Sequence, residues 1–308
     1  MAKYLDDTAI RLAAFDWLAG LESIHGEYLP RNALKDGFAL HGERIHVIQQ
    51  QGIFKPKVLS SFPLSITTSP NNPYGDRMDN EDVILYHYQG NDPMRYDNVW
   101  LRNAMKNQVP LIYFYGIDSG VYTASWPVLV VDDNRTSKFF AIQVLDRAII
   151  NDYSTLSAKS LLLADGNNDG QRAYTTITAK KRMHQQRFRF KVLRAYQEQC
   201  ALCRLRHAEL LDAAHIIPDE EEGGEPVVSN GLSLCKLHHA AYDKFFLGIT
   251  PDYRIELRQD VLEEEDGPML RHGLKGLHGG RLIVPRVAKL KPSPERLEIR
   301  YEKFLAAS

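Results

Sequence analysis

Sulfur is scarce in this chain: three of 308 residues are cysteine, and all three lie between positions 200 and 235. An odd, clustered set of thiols excludes a disulfide-stapled secreted scaffold and fits a reducing interior. Long apolar runs are missing too; nowhere do the roughly 20 apolar residues of a membrane-spanning helix occur together. The opening MAKYLDDTAIRLAAFDWL carries acids early and lacks a basic stretch followed by an unbroken apolar core. It does not read as a signal peptide, and a cytoplasmic protein is expected. Excess charge of one sign is also absent, with 38 Lys and Arg against 39 Asp and Glu. That balance excludes a charged surface over the whole molecule, so any nucleic-acid contact must come from local clustering. No internal repeat is visible.

What is present suffices for two cores, with 44% hydrophobic residues spread over a length that suits two domains. Residues 5–22 carry apolar side chains at helical spacing, with Asp6 or Asp7 near the start, and predict an amphipathic helix. From about 36 to 150, short β-rich runs (ALHGERIHVI, VLSSFPLSITT, DVILYHYQG, VPLIYFYGI, YTASWPVLVVDD, SKFFAIQVLD) alternate with Gly, Pro, Asn and Asp turns. This spacing predicts a barrel or sandwich, with one helix inserted at 97–107. Residues 151–178 are mixed and polar. The stretch from Asp165 to Gly170 imitates the start of a calcium loop, but its twelfth position is Thr176 where a bidentate Glu is needed, so a turn or linker is expected. A basic helix follows at about 179–198, carrying Lys180, Lys181, Arg182, Arg187, Arg189, Lys191 and Arg194 with no acid until Glu198.

The cysteines have a pattern. Cys200 and Cys203 form a C-x-x-C pair; after 31 intervening residues Cys235 and His238 form a C-x-x-H pair. Two such pairs close a four-coordinate site around zinc with no open position, the arrangement of a structural ion. With those ligands assigned, an ordered His215, Asn230 and His239 remain. A plain zinc knuckle needs neither Asn230 nor a second histidine beside His238.

On these residues the segment from about 190 to 250 (CALCRLRHAELLDAAHIIP, then NGLSLCKLHHAAYDKFFLGI) resembles an HNH endonuclease of the ββα-metal type. The resemblance implies roles. His215 corresponds to the general base that takes a proton from water. Asn230 corresponds to the residue that holds the loop and the imidazole. His239 corresponds to a ligand of one catalytic divalent cation, Mg²⁺ by default or Mn²⁺, at the scissile phosphate. Many members place Asp or His just before the base as a second ligand; here that residue is Ala214. Asp212 lies three residues upstream of His215, on the opposite face of a regular strand. Asp243, four residues after His239 on a helix, shares its face and is the preferred second ligand, with a helix salt bridge as its other reading.

The segment from about 70 to 131 (NPYGDRMDNEDVILYHYQG, DNVWLRNAMKNQVPLIYFYG, YTASWPVLVV) is similar to the SRA (YDG) fold that reads modified cytosine. Together with the nuclease segment it resembles SRA-like–HNH restriction proteins. Examining one base in a duplex requires flipping it out, stacking it on aromatic rings and bonding its edge. Tyr74, Tyr86 and Tyr88 offer rings, and Asp76 or Asp79 offers an acceptor for a cytosine amino group; alternating tyrosines also serve simply to pack a sheet. The basic helix offers phosphate contacts, or a solvated face.

The expected fold class is therefore α+β. It comprises an SRA-like β-barrel with flanking helices over 1–165, a linker and basic helix over 166–198, and a zinc-stabilised ββα-metal HNH domain with a C-terminal extension over 199–308. The expected function is a modification-dependent, type IV-like restriction endonuclease that flips out 5-methyl- or 5-hydroxymethylcytosine in double-stranded DNA. Alternatives are an HNH nuclease whose first domain reads unmodified sequence, phosphorothioate or a protein partner, and a non-catalytic DNA-binding module. A double-strand break by one HNH site per chain implies a homodimer or two binding events. In the C-terminal extension, RIELRQDVL and RLIVPRV read as strands and ERLEIRYEKFL as a final helix.

Overall fold

Helix α1 (Asp7–His25) starts where the sequence places it, with the Asp6 side chain accepting from the Thr8 amide at 3.4 Å, which satisfies one of the free amides of a first helical turn. Ile10, Ala14, Phe15 and Leu18 bury one stripe of this helix in a core shared with Leu29, Leu34, Phe38, Ile112 and Phe114. Arg11, on the same face, is buried as well and donates to the Pro63 and Pro110 carbonyls at 2.9 and 3.0 Å. The structure is a computed structural model that describes residues 6–49, 52–70, 83–147, 169–265 and 267–307. The chain divides into two compact units, Met1–Met183 and His184–Ser308.

The first unit is a curled half-barrel. Its main sheet runs in the order β4 (Ile53–Phe54), β5 (Ser65–Thr68), β7 (Leu111–Asp118), β8 (Val121–Asn134), β9 (Phe139–Val144), β6 (Ile84–His87), with β1 (Leu29–Pro30) paired on β8. Strands β5 and β7 are parallel and the other neighbours antiparallel. A small hairpin, β2 (Phe38–Leu40) and β3 (Glu43–Ile45), and helices α2 (Arg31–Asp36) and α3 (Tyr96–Lys106) complete the unit. Gly116 in β7 is dictated by packing: a Cβ there would sit 2.6 Å from the Thr68 carbonyl oxygen. The alternating aromatic and aliphatic runs of the sequence are these strands, and the predicted 97–107 helix is α3.

The basic helix differs from its expected limits. Helix α4 spans Asp169–Ala195, so the stretch 169–178, expected as turn or linker, is helical. The polar run AYTTITAK hides the reason. The Thr176 hydroxyl is buried against β9, where it accepts from the Val144 amide at 3.0 Å. The helix stops short of 198 because Gln197 and Glu198 adopt positive φ of 57° and 51°.

In the second unit, β10 (Leu211–His215) and β11 (Gly231–Cys235) pair antiparallel, and helix α5 (Lys236–Asp243) leaves β11 without an intervening loop. A hairpin, β12 (Leu247–Ile249) and β13 (Ile255–Leu257), then α6 (Gln259–Glu263), α7 (Pro268–Gly273) and α8 (Pro294–Ala306) follow. Leu282 and Leu297 from this extension share one core with Phe188, Val192, Ala214, Leu232 and Tyr242. The final helix is the expected one, capped by Ser293, whose hydroxyl accepts from the Arg296 amide at 3.3 Å. RLIVPRV is not a strand: Leu282 and Ile283 donate singly to the Tyr253 and Ala201 carbonyls, and Arg254–Arg281 is an isolated bridge. Pro285 has no amide to extend a ladder. Among the described residues no helix is long and apolar enough to cross a membrane.

Candidate active site

Four donors converge at one end of the ββα element. Cys200 and Cys203 lie on the turn after α4, Cys235 ends β11 opposite Leu211, and His238 sits in the first turn of α5. Their donor atoms all lie within 4.8 Å of one another. The His238 Nδ1 stands 3.4 Å from the Cys200 Sγ and 3.2 Å from the Cys235 Sγ. Zn–S of about 2.3 Å and Zn–N of about 2.0–2.1 Å in a tetrahedron separate donors by roughly 3.5–3.8 Å, so this set fits a four-coordinate ion with little movement. The His238 Nε2 donates to the Gly273 carbonyl at 2.6 Å, which fixes the tautomer and aims Nδ1 at the sulfurs. The hydrogen bond from Cys235 draws the Cys200 thiol well below its usual range, toward the thiolate form that a metal requires. The cluster leaves no position for substrate.

His215 marks the other end of the strands. His215 closes β10 and pairs with Gly231, the first residue of β11. Its ring stacks on Phe188 of α4, centroids 4.0 Å apart and planes 16° apart. Gly231 makes that contact feasible: a Cβ would meet Val192 Cγ2 at 2.4 Å and Phe188 Cζ at 2.9 Å. Burial lowers the His215 pKa; Asp219 pulls it up, and the neighbouring His239 adds to the lowering. The imidazole is thus neutral at neutral pH, with Nε2 buried and unpartnered.

Asn230 is fully buried at the end of a 3₁₀ turn, Val228–Asn230. Its Oδ1 accepts from the Ile217 amide at 2.9 Å, and its Nδ2 donates to the Ile217 and Glu225 carbonyls at 3.0 and 3.2 Å. Its own carbonyl accepts from the Ile216 amide at 3.0 Å. Asn230 therefore grips the chain just after His215, while the imidazole itself is braced by Phe188.

His239 lies on α5 between two carboxylates: Nδ1 is 3.5 Å from Asp212 Oδ2, and Nε2 is 3.3 Å from Asp243 Oδ2. Face alternation in β10 separates Asp212 from His215, yet α5 crosses the strand so that its His239 reaches Asp212. Asp212 also pairs with Lys236 at 2.5 Å and Arg189 at 3.6 Å. Burial opposes ionisation of Asp212, and Lys236 with His239 outweighs it, so its pKa is lowered. Ala214 is buried without solvent contact. The donor set His239, Asp243 and Asp212 has the imidazole and carboxylate chemistry of a divalent-cation site.

The seven cations of α4 are not equivalent. Lys180 is buried and donates to the Val83 carbonyl at 3.0 Å, and Arg189 donates to the Ala208 and Leu211 carbonyls at 2.7 and 2.9 Å. Arg187 is half-buried, whereas Lys181, Arg182, Lys191 and Arg194 are exposed. In the first unit Tyr86 and Tyr88 share the inner face of the sheet. The Tyr86 hydroxyl accepts from Gln89 Nε2 at 3.1 Å. The Tyr88 hydroxyl donates to Asp133, which also receives Arg102 Nε at 2.6 Å, and its ring packs on Phe140. Tyr74, Asp76 and Asp79 lie outside the described residues.

Residues 200–250 match the family of HNH endonucleases. No curated protein matches the chain in sequence. Several solved structures overlap it, among them the following three. A modification-dependent TagI restriction endonuclease matches with 17% identity, TM-score 0.32, over 82% of this chain and 85% of that one. The SUVH5 SRA domain in complex with methylated CHH DNA matches with 25% identity, TM-score 0.25, over 36% and 88%. The type IV phosphorothioation-dependent restriction endonuclease ScoMcrA matches with 17% identity, TM-score 0.26, over 76% and 62%.

Proposed function

We propose that this chain, whose residues 200–250 form an HNH endonuclease domain, is a restriction endonuclease that cuts double-stranded DNA carrying 5-methyl- or 5-hydroxymethylcytosine. The observation that carries the nuclease assignment is that one ββα element bears His215, Asn230 and His239 in addition to, and distinct from, the Cys200, Cys203, Cys235 and His238 cluster. In this reading His215, neutral and held flat against Phe188, takes the proton of the attacking water. Asn230 fixes the chain on which that imidazole is mounted. His239, with Asp243 and Asp212, holds a divalent cation, Mg²⁺ or Mn²⁺, that supplies charge stabilisation at the phosphate and the departing 3′ oxygen. For Asp212 to join, Lys236 must release it. Zinc at the four-donor cluster serves folding and takes no part in the reaction.

The assignment of the first unit rests on the similarity of residues 70–131 to the SRA fold, with base flipping as its mode of reading. Tyr86 and Tyr88 are buried, their hydroxyls engaged and the Tyr88 ring packed on Phe140, so stacking a flipped base on them requires that packing to open. Four exposed cations on α4 give a backbone contact whose affinity falls with salt at a log–log slope of about −3.6. A double-strand break requires two copies of the chain or two binding events.

The test is cleavage of matched plasmids, unmodified, 5-methylcytosine, 5-hydroxymethylcytosine and phosphorothioate, with Mg²⁺ or Mn²⁺, by the wild type and His215→Ala. Cutting confined to the cytosine-modified plasmids and lost in the variant is expected. Equal cutting of all four retains the nuclease and removes the reader. Absence of cutting with either metal removes the nuclease and leaves a DNA-binding module.

A further inference from the structure

The HNH family match ends at residue 250, yet one side chain beyond it reaches the helix that carries His239 and Asp243. Arg300 lies on α8, is 8% exposed, and donates from one guanidinium nitrogen to the Tyr242 carbonyl at 3.0 Å and the Asp243 carbonyl at 3.5 Å. These are last-turn carbonyls of α5, groups that no further turn of helix can satisfy. A cation at a helix C-terminus also complements the negative end of the helix dipole. The guanidinium is held between rings, 4.8 Å from the Tyr242 centroid and 4.1 Å from that of Phe245. Phe245 takes up a positive φ of 56° just after α5, which turns its ring back under Arg300.

The rest of α8 is fastened to the same site. Phe304 fills the space beside Gly248, where a Cβ would come within 2.5 Å of its ring. Arg296 and Lys303, on the helix face of Arg300, pair with Glu225 and Glu221 at 2.5 Å each. Both acids belong to the loop between His215 and Asn230. Arg296 also donates to the Ser229 hydroxyl at 3.3 Å.

We infer that Arg300 is a positioning residue of the nuclease: by closing the last turn of α5 it holds Asp243 against His239 and so sets the geometry of the catalytic cation site. This rests on the reading of His239 and Asp243 as cation ligands. Without the guanidinium, the Asp243 carbonyl loses its donor, the Tyr242 carbonyl keeps only backbone amides such as that of Phe245 at 3.2 Å, the last turn loosens, and the carboxylate 3.3 Å from His239 is no longer fixed. Removing a partner that orients a metal ligand lowers metal affinity or activity by on the order of 10- to 100-fold.

The experiment uses the full chain with Arg300→Lys, Arg300→Met and His239→Ala, measuring zinc content, DNA binding without divalent cation, and cleavage as a function of Mn²⁺. Expected for both Arg300 variants are wild-type zinc content and DNA binding, with the half-saturating Mn²⁺ concentration raised about 10-fold or more. Arg300→Lys keeps the charge but not the planar fork, so it restores the response only in part. An unchanged Mn²⁺ requirement in a zinc-loaded Arg300 variant overturns the inference. Loss of zinc in both variants overturns it as well, because Arg300 is then a folding residue. If His239→Ala cuts like the wild type, the cation-site reading itself fails, a result separate from either Arg300 outcome.

Discussion

Replacing Asn230 by Ala tests whether this buried amide acts on the chain or on the reaction. The side chain satisfies the Ile217 amide, the Ile217 carbonyl and the Glu225 carbonyl. Glu225 is exposed and its carbonyl regains water, whereas Ile217 is buried. Two buried backbone groups are therefore orphaned, at about 1–3 kcal/mol each, so a loss of roughly 3–4 kcal/mol is expected. That is a large fraction of the 5–15 kcal/mol that typically separates folded from unfolded domains. Urea unfolding of the zinc-loaded chain, followed by circular dichroism, should show the transition of the second unit moving to lower urea with an unchanged slope. Asn230→Asp keeps the acceptor for Ile217 but sets a carboxylate against two carbonyls. It should be at least as damaging at pH 8 and recover part of the loss as pH falls and the carboxyl can donate. The sign follows from the folded state favouring the protonated form, a stability present at low pH and lost as pH rises. An Asn230→Ala protein with an unchanged unfolding midpoint and no cleavage would refute this account, since the amide would then be acting on the reacting groups.

Stripping zinc should unfold the second unit, because structural zinc contributes about 10–16 kcal/mol of apparent binding energy to small modules; a far-ultraviolet spectrum unchanged after chelation would contradict it. The pH profile of cleavage should reflect the lowered His215 pKa. A base neutral to below about pH 6.5 keeps the acid limb of the rate profile below that value. Phe188→Ala admits water to the ring, so the acid limb should move up toward about 6.5 while metal-free DNA binding is unchanged. An unmoved limb in that variant would mean that stacking does not set the proton affinity of His215.

Much of the second unit was legible because its chemistry demands particular residue types at short, fixed spacing. The C-x-x-C and C-x-x-H pairs and the order His215, Asn230, His239 are local; the structure brings the first set together and carries the second on one ββα element. What sequence spacing does not disclose is who braces these groups. Phe188 precedes His215 by 27 residues and Arg300 follows Asp243 by 57; both meet the site through packing. Gly231, directly after Asn230, carried the one local hint that another element presses on the strand there. The helical stretch 169–178 was hidden by Tyr and Thr, whose weak helix propensity is overridden where Thr176 docks on β9. The basic run likewise says nothing of orientation, and Lys180 turns inward to a carbonyl. In the first unit the strand pattern was plain in the alternation of aromatics with turn residues.

The dependence of α5 on α8 also has a consequence in time. A chain is synthesised from its N-terminus, so the ββα element leaves the ribosome before its final brace exists. Phe304 lies 54 residues beyond residue 250, where the family match ends. At roughly 5–20 residues per second those residues take about 3–11 s to make. During that interval the Cys200, Cys203, Cys235 and His238 cluster, His215 and His239 are all in hand, but the Gly248 face is bare and the last turn of α5 has no guanidinium. The candidate nuclease site of each nascent molecule is thus completed after the whole first unit has been made, when α8 docks.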